Sequence, residues 1–296
     1  MALKEFISYL SLEKNYSRHT VIAYEKDIET FSSFCASEYD LVAIDTVDYG
    51  LIRSWIVSLV DSNISNRSVN RKVASLKAYY KFLQRIGAIE ISPLAKHKAL
   101  KVSKKIEVPF SVEEMKRVLS QMHFEKGFEG TRDKLIIELF YGTGIRRAEL
   151  INLKIKDVSL QGGTLKVLGK RNKERIIPLL PSIRDLFLHY FTMRKSLDCT
   201  IDETYVFLSK SGHKIYETLV YRVINGYFSK VSSKVKKSPH ILRHTFATHL
   251  LNEGADLNSV KELLGHSSLA STQIYTHNSI AELKKVHTSA HPRSKK

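Results

Sequence analysis

A mainly α-helical chain of two domains is what the sequence predicts: a small all-helical domain, then a larger, mostly helical domain carrying a small antiparallel sheet. Three observations lead there. Apolar residues recur at helical spacing through most of the chain. Two short β-type runs flank a polar tip, and a basic, aperiodic stretch separates two helical blocks. The 296 residues suit about two domains at the usual ~100–200 residues each. The expected boundaries are 1–95 for the first domain, 96–108 for a basic link and 109–296 for the second.

In the first block, Ser17 is a natural N-cap, since its hydroxyl can accept from a free helix N–H. Val21, Tyr24, Ile28, Phe31 and Cys35 follow at helical period. Ile52, Trp55, Ile56 and Leu59 mark another helix. A third runs from about Arg67 to Ile86 on the stripe Val69, Val73, Leu76, Tyr80 and Leu83, and Gly87 ends it. About four helices are expected here. The link from Pro93 to Pro109 is lysine-rich and reads as a flexible connector. Ser111-Val-Glu-Glu114 is a capping box that opens the second block, with Met115, Val118, Leu119 and Met122 inward. Leu135–Phe140 is apolar throughout, so that helix is buried; it breaks at Tyr141-Gly142-Thr143-Gly144, and a short helix with Ile145, Leu150 and Leu153 inward follows. Thr164–Leu168 and Arg175–Leu179 read as strands around the tip Gly169–Lys173. Helix returns from about Leu219.

The charge narrows the function classes. Forty-seven basic residues stand against 30 acidic ones, a formal +17, and a polyanion would relieve the resulting self-repulsion. The third helix carries Arg67, Arg71, Lys72, Lys77 and Lys81 with no acidic residue between Asp61 and Glu90. A merely solvated face normally mixes signs, so these five are candidate DNA contacts. No apolar run nears the ~20 residues of a membrane helix, and no secretory leader is visible, which points to a cytoplasmic protein. Two cysteines, Cys35 and Cys199, make neither a disulfide framework nor a four-thiolate zinc site.

Four segments of the second domain can carry chemistry. Arg146 and Glu149 share a helix face, where the carboxylate can hold the guanidinium, although a bare surface ion pair has the same spacing. Lys170 stands at the hairpin tip, where an ordinary turn lysine is the bland alternative. His240 and Arg243 are again three apart. Leu264-Gly265-His266-Ser267-Ser268 leads to Thr272-Gln273-Ile274-Tyr275. His240 and His244 have the spacing of a helical zinc pair, but Arg243 between them repels a cation; no metal and no other cofactor is expected. His244 is expected to pack behind the site, and His249 and His277 to be packing or surface residues. Tyr141, Tyr190, Tyr216, Tyr221 and Tyr227 default to core packing.

Taken together, the words Thr-Gly-Ile-Arg, His-Ile-Leu-Arg-His-Thr-Phe-Ala-Thr-His-Leu and Leu-Gly-His-Ser-Ser, in the order Arg, Lys, His-x-x-Arg, His, Tyr, resemble the catalytic domain of the tyrosine recombinase (phage integrase) family. Glu13–Thr20 looks like its core-binding domain, and His291-Pro292-Arg293 looks like the tail of the Xer group of chromosome-dimer resolvases. The resemblance implies that Tyr275 is the nucleophile, linking to a 3′-phosphate. Arg146 and Arg243 clamp the non-bridging oxygens, His266 is a further donor, and His240 is the general base. Lys170 protonates the leaving 5′-oxygen, and Glu149 orients Arg146 and His240. These types suit the chemistry. The planar, permanently charged guanidinium matches two phosphate oxygens. A phenol conserves the energy of the broken ester, and at a pKa near ~10 it needs cations and a base. Arg171 stands where a glycine commonly follows the hairpin lysine, which makes Asn172 the candidate left-handed residue and Lys173 a fallback for Lys170; Ala148 replaces a frequent serine.

The resemblance further implies a C-shaped clamp on duplex DNA and four protomers on two duplexes, of one recombinase or a pair. The segment after Tyr275, with Ile280, Leu283 and Val286, would dock on a neighbour or pack on its own domain. Resolution of chromosome dimers during segregation is the leading expectation. An integrase of a phage, transposon or integron is the alternative; an inactive architectural protein and a type IB topoisomerase fit the motifs less well.

Overall fold

The computed structural model describes residues 2–103, 107–169, 174–197, 199–234, 236–265 and 286–293. The chain divides into two compact units, Met1–Lys105 and Ile106–Lys296.

The first unit is all helix. Helix α1 (Ala2–Ser8) runs into a π-helical turn (Tyr9–Glu13), followed by α2 (Arg18–Tyr39), α3 (Tyr49–Asp61) and α4 (Asn66–Arg85). Three of these begin at side-chain caps: Ser17 accepts from the Thr20 N–H, Asp48 from Leu51 and Ser65 from Ser68. Helix α4 stops where the sequence says it should, with Gly87 at φ +73° just beyond its cap. The inward stripes meet in one core of Phe6, Ile28, Phe31, Trp55, Leu76, Tyr80 and Leu83. Phe31 and Trp55 lie 5.0 Å apart, and the buried Tyr80 hydroxyl donates to Ile44 O at 2.8 Å, so its burial leaves no polar group unpaired. The connector is less free than its composition suggests. Asn70 on α4 accepts from the Leu100 N–H and donates to the Leu100 carbonyl, and Asn66 donates to Lys101 O.

In the second unit the capping box forms as expected, with Glu114 N–H donating to Ser111 Oγ (3.1 Å) and Ser111 N–H to Glu114 Oε2 (2.7 Å). It opens α5 (Val112–Lys116), which continues as a π-helical turn (Arg117–Gln121). Helix α6 (Phe128–Thr143) is buried along its second half, and Gly144 ends it in the left-handed region at φ +59°. A Cβ at Gly144 would stand 2.5 Å from the Phe246 ring, so both backbone and space demand glycine. Helix α7 (Arg147–Ile151) follows directly. The sheet is a three-stranded antiparallel meander: β1 (Val158–Ser159), β2 (Thr164–Leu168) and β3 (Glu174–Pro178), with Leu165 opposite Ile177 and Val167 opposite Arg175. Helix α8 (Pro181–Lys195), which the sequence reading leaves unassigned, buries Ile183, Phe187 and Tyr190 against α6. Helices α9 (Glu217–Ser229), α10 (Pro239–Asn252) and α11 (Leu257–Leu264) complete the unit, and residues 286–290 are helical. Among the described residues no helix is long and apolar enough to cross a membrane.

Candidate active site

The site is built where three chain segments end. Arg146 caps α7, Arg243 lies in the second turn of α10, and α11 finishes at Leu264-Gly265. Glu149, three residues into α7, is buried. Its Oε2 accepts the Arg146 backbone N–H at 2.8 Å, which caps the helix, while Oε1 accepts Arg146 Nη1 at 2.8 Å. The spacing of three thus gives the predicted pair, and it is no bare surface contact.

The second partner of Glu149 is one that sequence reasoning missed. Arg175 on β3, itself buried, donates through both terminal nitrogens to the same carboxylate at 2.7 and 2.8 Å, and through Nε to Leu263 O at 3.0 Å. The signal was a charged residue at an inward position of an alternating strand, in register with Ile177. Each carboxylate oxygen now accepts two bonds. The expectation that Glu149 also orients His240 is therefore corrected: its second partner is Arg175. Burial by itself would raise the Glu149 carboxyl, but the hydrogen bonds and charge of Arg175, with the bonds from Arg146, overcome it and hold it down at about 2.

Arg243 is buried without any carboxylate of its own. Its Nη1 donates to Gly144 O at 2.5 Å and its Nη2 to Leu264 O at 2.6 Å. Arg146 Nη2 donates to Gly265 O at 2.8 Å. Three guanidiniums therefore satisfy the last carbonyls of α11, and one of them also reaches the end of α6, where a helix leaves acceptors unpaired and carries partial negative charge. Burial pushes Arg243 down to about 9, helped by the neighbouring charges of Arg146 and Arg175; it stays charged at neutral pH. Three cations around one carboxylate leave a local charge of +2.

His240 stands one turn before Arg243 at the exposed start of α10, with Nε2 3.2 Å from Glu107 Oε2. Glu107 also pairs with Lys236, which holds its carboxyl below the usual range. His244 is exposed on α10, not packed as expected, because it lies on the face opposite the buried Arg243 stripe. His249 is a packing residue: its ring bonds the Tyr141 hydroxyl and Phe110 O, both at 2.9 Å. Tyr141 and Tyr190 are buried as predicted, whereas Tyr216 and Tyr221 are exposed and Tyr227 is partly buried. Lys170, Lys173, His266, Tyr275, His277, Ile280 and Leu283 lie outside the described residues. The segment that follows returns to its own unit. His287 Nε2 bonds Gly142 O at 2.7 Å, His291 Nε2 bonds Tyr141 O at 3.0 Å, and Arg293 pairs with the buried Glu138 at 2.5 Å. Burial pushes the His287 ring down to about 4 and the His291 ring to about 3, the latter helped by the neighbouring His287. Among the described residues no group of three metal-ligating side chains comes together.

On α4, Arg67, Arg71, Lys77 and Lys81 are exposed. Contrary to the expectation from sequence, part of this helix's charge is balanced from within the unit. Asp27, buried on α2, receives both Arg71 terminal nitrogens (2.5 and 2.8 Å), Lys72 Nζ (3.2 Å) and the Ser75 hydroxyl (2.8 Å). Two of the five cations thus have an internal counter-charge.

Comparison with known proteins places this geometry. Residues 110–282 match the phage integrase family, and residues 3–87 match the phage integrase N-terminal SAM-like domain. The chain belongs to that family, the tyrosine recombinases. It is 38% identical over 317 residues to the tyrosine recombinase XerC of Chlorobaculum tepidum, covering 99% of this chain and 94% of that one. It is 39% identical over 293 residues to XerC of Oceanobacillus iheyensis, covering 98% and 95%. Among solved structures, the Tn1549 transposon integrase in complex with circular intermediate DNA superposes with a TM-score of 0.71 at 20% identity, over 95% of this chain and 98% of that one. The XerH recombinase bound to its palindromic difH substrate gives 0.69 at 18%, over 97% and 94%. These two likenesses bear on the fold.

Proposed function

We propose that the Arg146–Glu149–Arg243 cluster is the phosphate grip of a Xer-like site-specific recombinase, a DNA strand-exchange enzyme working through Tyr275. The carrying observation is the local charge of +2, with Arg175 counted beside Arg146, Arg243 and Glu149, and Arg243 buried against neutral carbonyls only. A phosphodiester brings one negative charge, and its pentavalent transition state two, so the cluster is better matched to the transition state than to the ground state.

In this reading Tyr275 Oη attacks phosphorus while the bond to the 5′-oxygen breaks. His240 accepts the phenolic proton and Lys170, or Lys173, delivers one to the departing oxygen. His266, the residue after Gly265 in the sequence, adds a donor. The 5′-hydroxyl of a partner duplex then reverses the steps, so no external energy source is needed. The partner is double-stranded DNA at a specific site, bound as a tetramer of one or two kinds of recombinase through a Holliday junction. The physiological role is resolution of chromosome dimers at cell division, in the cytoplasm; the full-length likeness to proteins named XerC supports it. Exposed Arg67, Lys77 and Lys81 line the phosphates, with Arg71 and Lys72 shared between DNA and Asp27.

A nicked suicide duplex carrying the site is expected to trap a covalent adduct that Tyr275→Phe abolishes. An adduct that persists in Tyr275→Phe overturns the nucleophile.

A further inference from the structure

Arg175 belongs to no motif of the resemblance, yet it makes three hydrogen bonds in the site, as many as Arg146. It sits on β3, with its side chain turned inward and buried. Both terminal nitrogens grip Glu149, and Nε holds the Leu263 carbonyl near the end of α11. Gly265 packs directly on it: a Cβ there would lie 2.9 Å from Arg175 Cδ and 3.2 Å from its Nε, and Gly265 itself is left-handed at φ +62°.

We infer that Arg175 is a positioning residue for strand exchange, a tie that fixes β3, Glu149 and the end of α11 relative to one another. The inference rests on the reading of Arg146 and Arg243 as the phosphate grip. The geometry supplies the reason. Glu149 orients Arg146 through one bond to its side chain and one to its backbone. Two further donors hold that carboxylate in plane, and they come from Arg175 alone. The same guanidinium stops the α11 carbonyls one residue before Leu264 O and two before Gly265 O, the acceptors of Arg243 and Arg146. Removing it loosens both arginines at once, and it frees the chain leading into His266. It is placed as a positioning residue because it is buried and all three of its nitrogens bond inside the protein. A lysine at the same position can reach one Glu149 oxygen but cannot make the two-pronged bond or hold Leu263 as well.

The test compares wild type with Arg175→Met, Arg175→Lys, Glu149→Gln and the Arg175→Met/Glu149→Gln double variant. Site affinity is measured by gel shift, and the covalent adduct rate is measured on nicked suicide duplex at saturating protein. Arg175→Met is expected to bind within about threefold of wild type and to cleave on the order of 100-fold more slowly, as for loss of an oriented catalytic group. Arg175→Lys is expected to regain at least about tenfold of that rate. The double variant is expected to cleave about as slowly as Glu149→Gln alone, since residues acting as a unit are not additive. Parallel loss of binding and cleavage, additive losses in the double variant, or full activity in Arg175→Met overturns the inference. If Arg175→Met does not fold, the Arg175→Lys binding-against-rate split decides it in the same way. Failure of wild type to form any adduct would instead count against the phosphate-grip reading.

Discussion

Glu149→Gln isolates the electrostatics of the site in a stability measurement that needs no DNA. Glutamine keeps the shape of the side chain but removes the charge, and it turns an amide N–H₂ toward guanidinium donors. The carboxyl falls from 4.5 to about 2 on folding, which corresponds to about 3 kcal/mol of preference for the charged form. Breaking a buried ion pair from one side typically costs 3–5 kcal/mol, the same order. The expected loss at pH 7 is therefore about 3 kcal/mol, or roughly 1 M in urea midpoint for a unit of this size. The sign with pH follows from a depressed folded pKa. The stabilisation is nearly complete above about 4.5 and disappears as pH falls toward about 2, so roughly three-fifths of the gap between wild type and variant should be gone by pH 3. The assay is urea unfolding followed by far-UV circular dichroism at pH 7, 4 and 3. Tryptophan fluorescence provides the reference, because the single tryptophan, Trp55, lies in the core of the first unit. A gap below about 1 kcal/mol at pH 7 would refute the reasoning. So would a gap that does not narrow on acidification.

Two further outcomes are expected. The unfolded chain takes up protons at His287 and His291 below about 6.5, whereas the folded chain does so only below about 4 and about 3. Stability should thus be full above pH 6.5 and fall as pH drops toward 4. A His287→Phe/His291→Phe variant should flatten that fall in urea titrations, and an unchanged slope would contradict the burial of the two rings. Replacing exposed Arg67, Lys77 and Lys81 with alanine should each lower the slope of log affinity against log salt by about 1 without changing site preference. Equilibrium binding at three salt concentrations checks this, and an unchanged slope removes that residue from the interface.

What could be read in the sequence was what short range determines. Ser17, Ser111 with Glu114, Gly87 and Gly144 announce helix ends because a cap is a contact over three or four residues. The hairpin was legible from its alternation, and the buried stretch 135–140 from its composition. Helix α8 was not assigned: Ile176–Leu180 runs apolar into it with no polar break, so strand and helix merge in a reading by pattern. The misread charges share one cause. Asp27 lies 44 residues from Arg71, Glu149 lies 26 from Arg175, and Glu107 lies far from His240. Partners at such separations are brought together by packing, and spacing cannot report them. The tail residue Arg293 shows the same limit: the motif marked it, but only the fold reveals that it neutralises Glu138 inside α6.

The carbonyl ends of α6 and α11 give Arg243 a temporary berth. Hydrogen bonds from a guanidinium to an anionic oxygen are about twice as strong as those to neutral acceptors. Had the protein docked Arg243 on a second carboxylate, an arriving phosphate would have had to compete with an equal charge. Docked on peptide oxygens, the buried side chain is held in place without a competing anion, as the proposed phosphate grip requires. Of the three arginines, Arg243 is the one hydrogen-bonded to neutral oxygens alone, while Glu149 holds Arg146 and Arg175 in place.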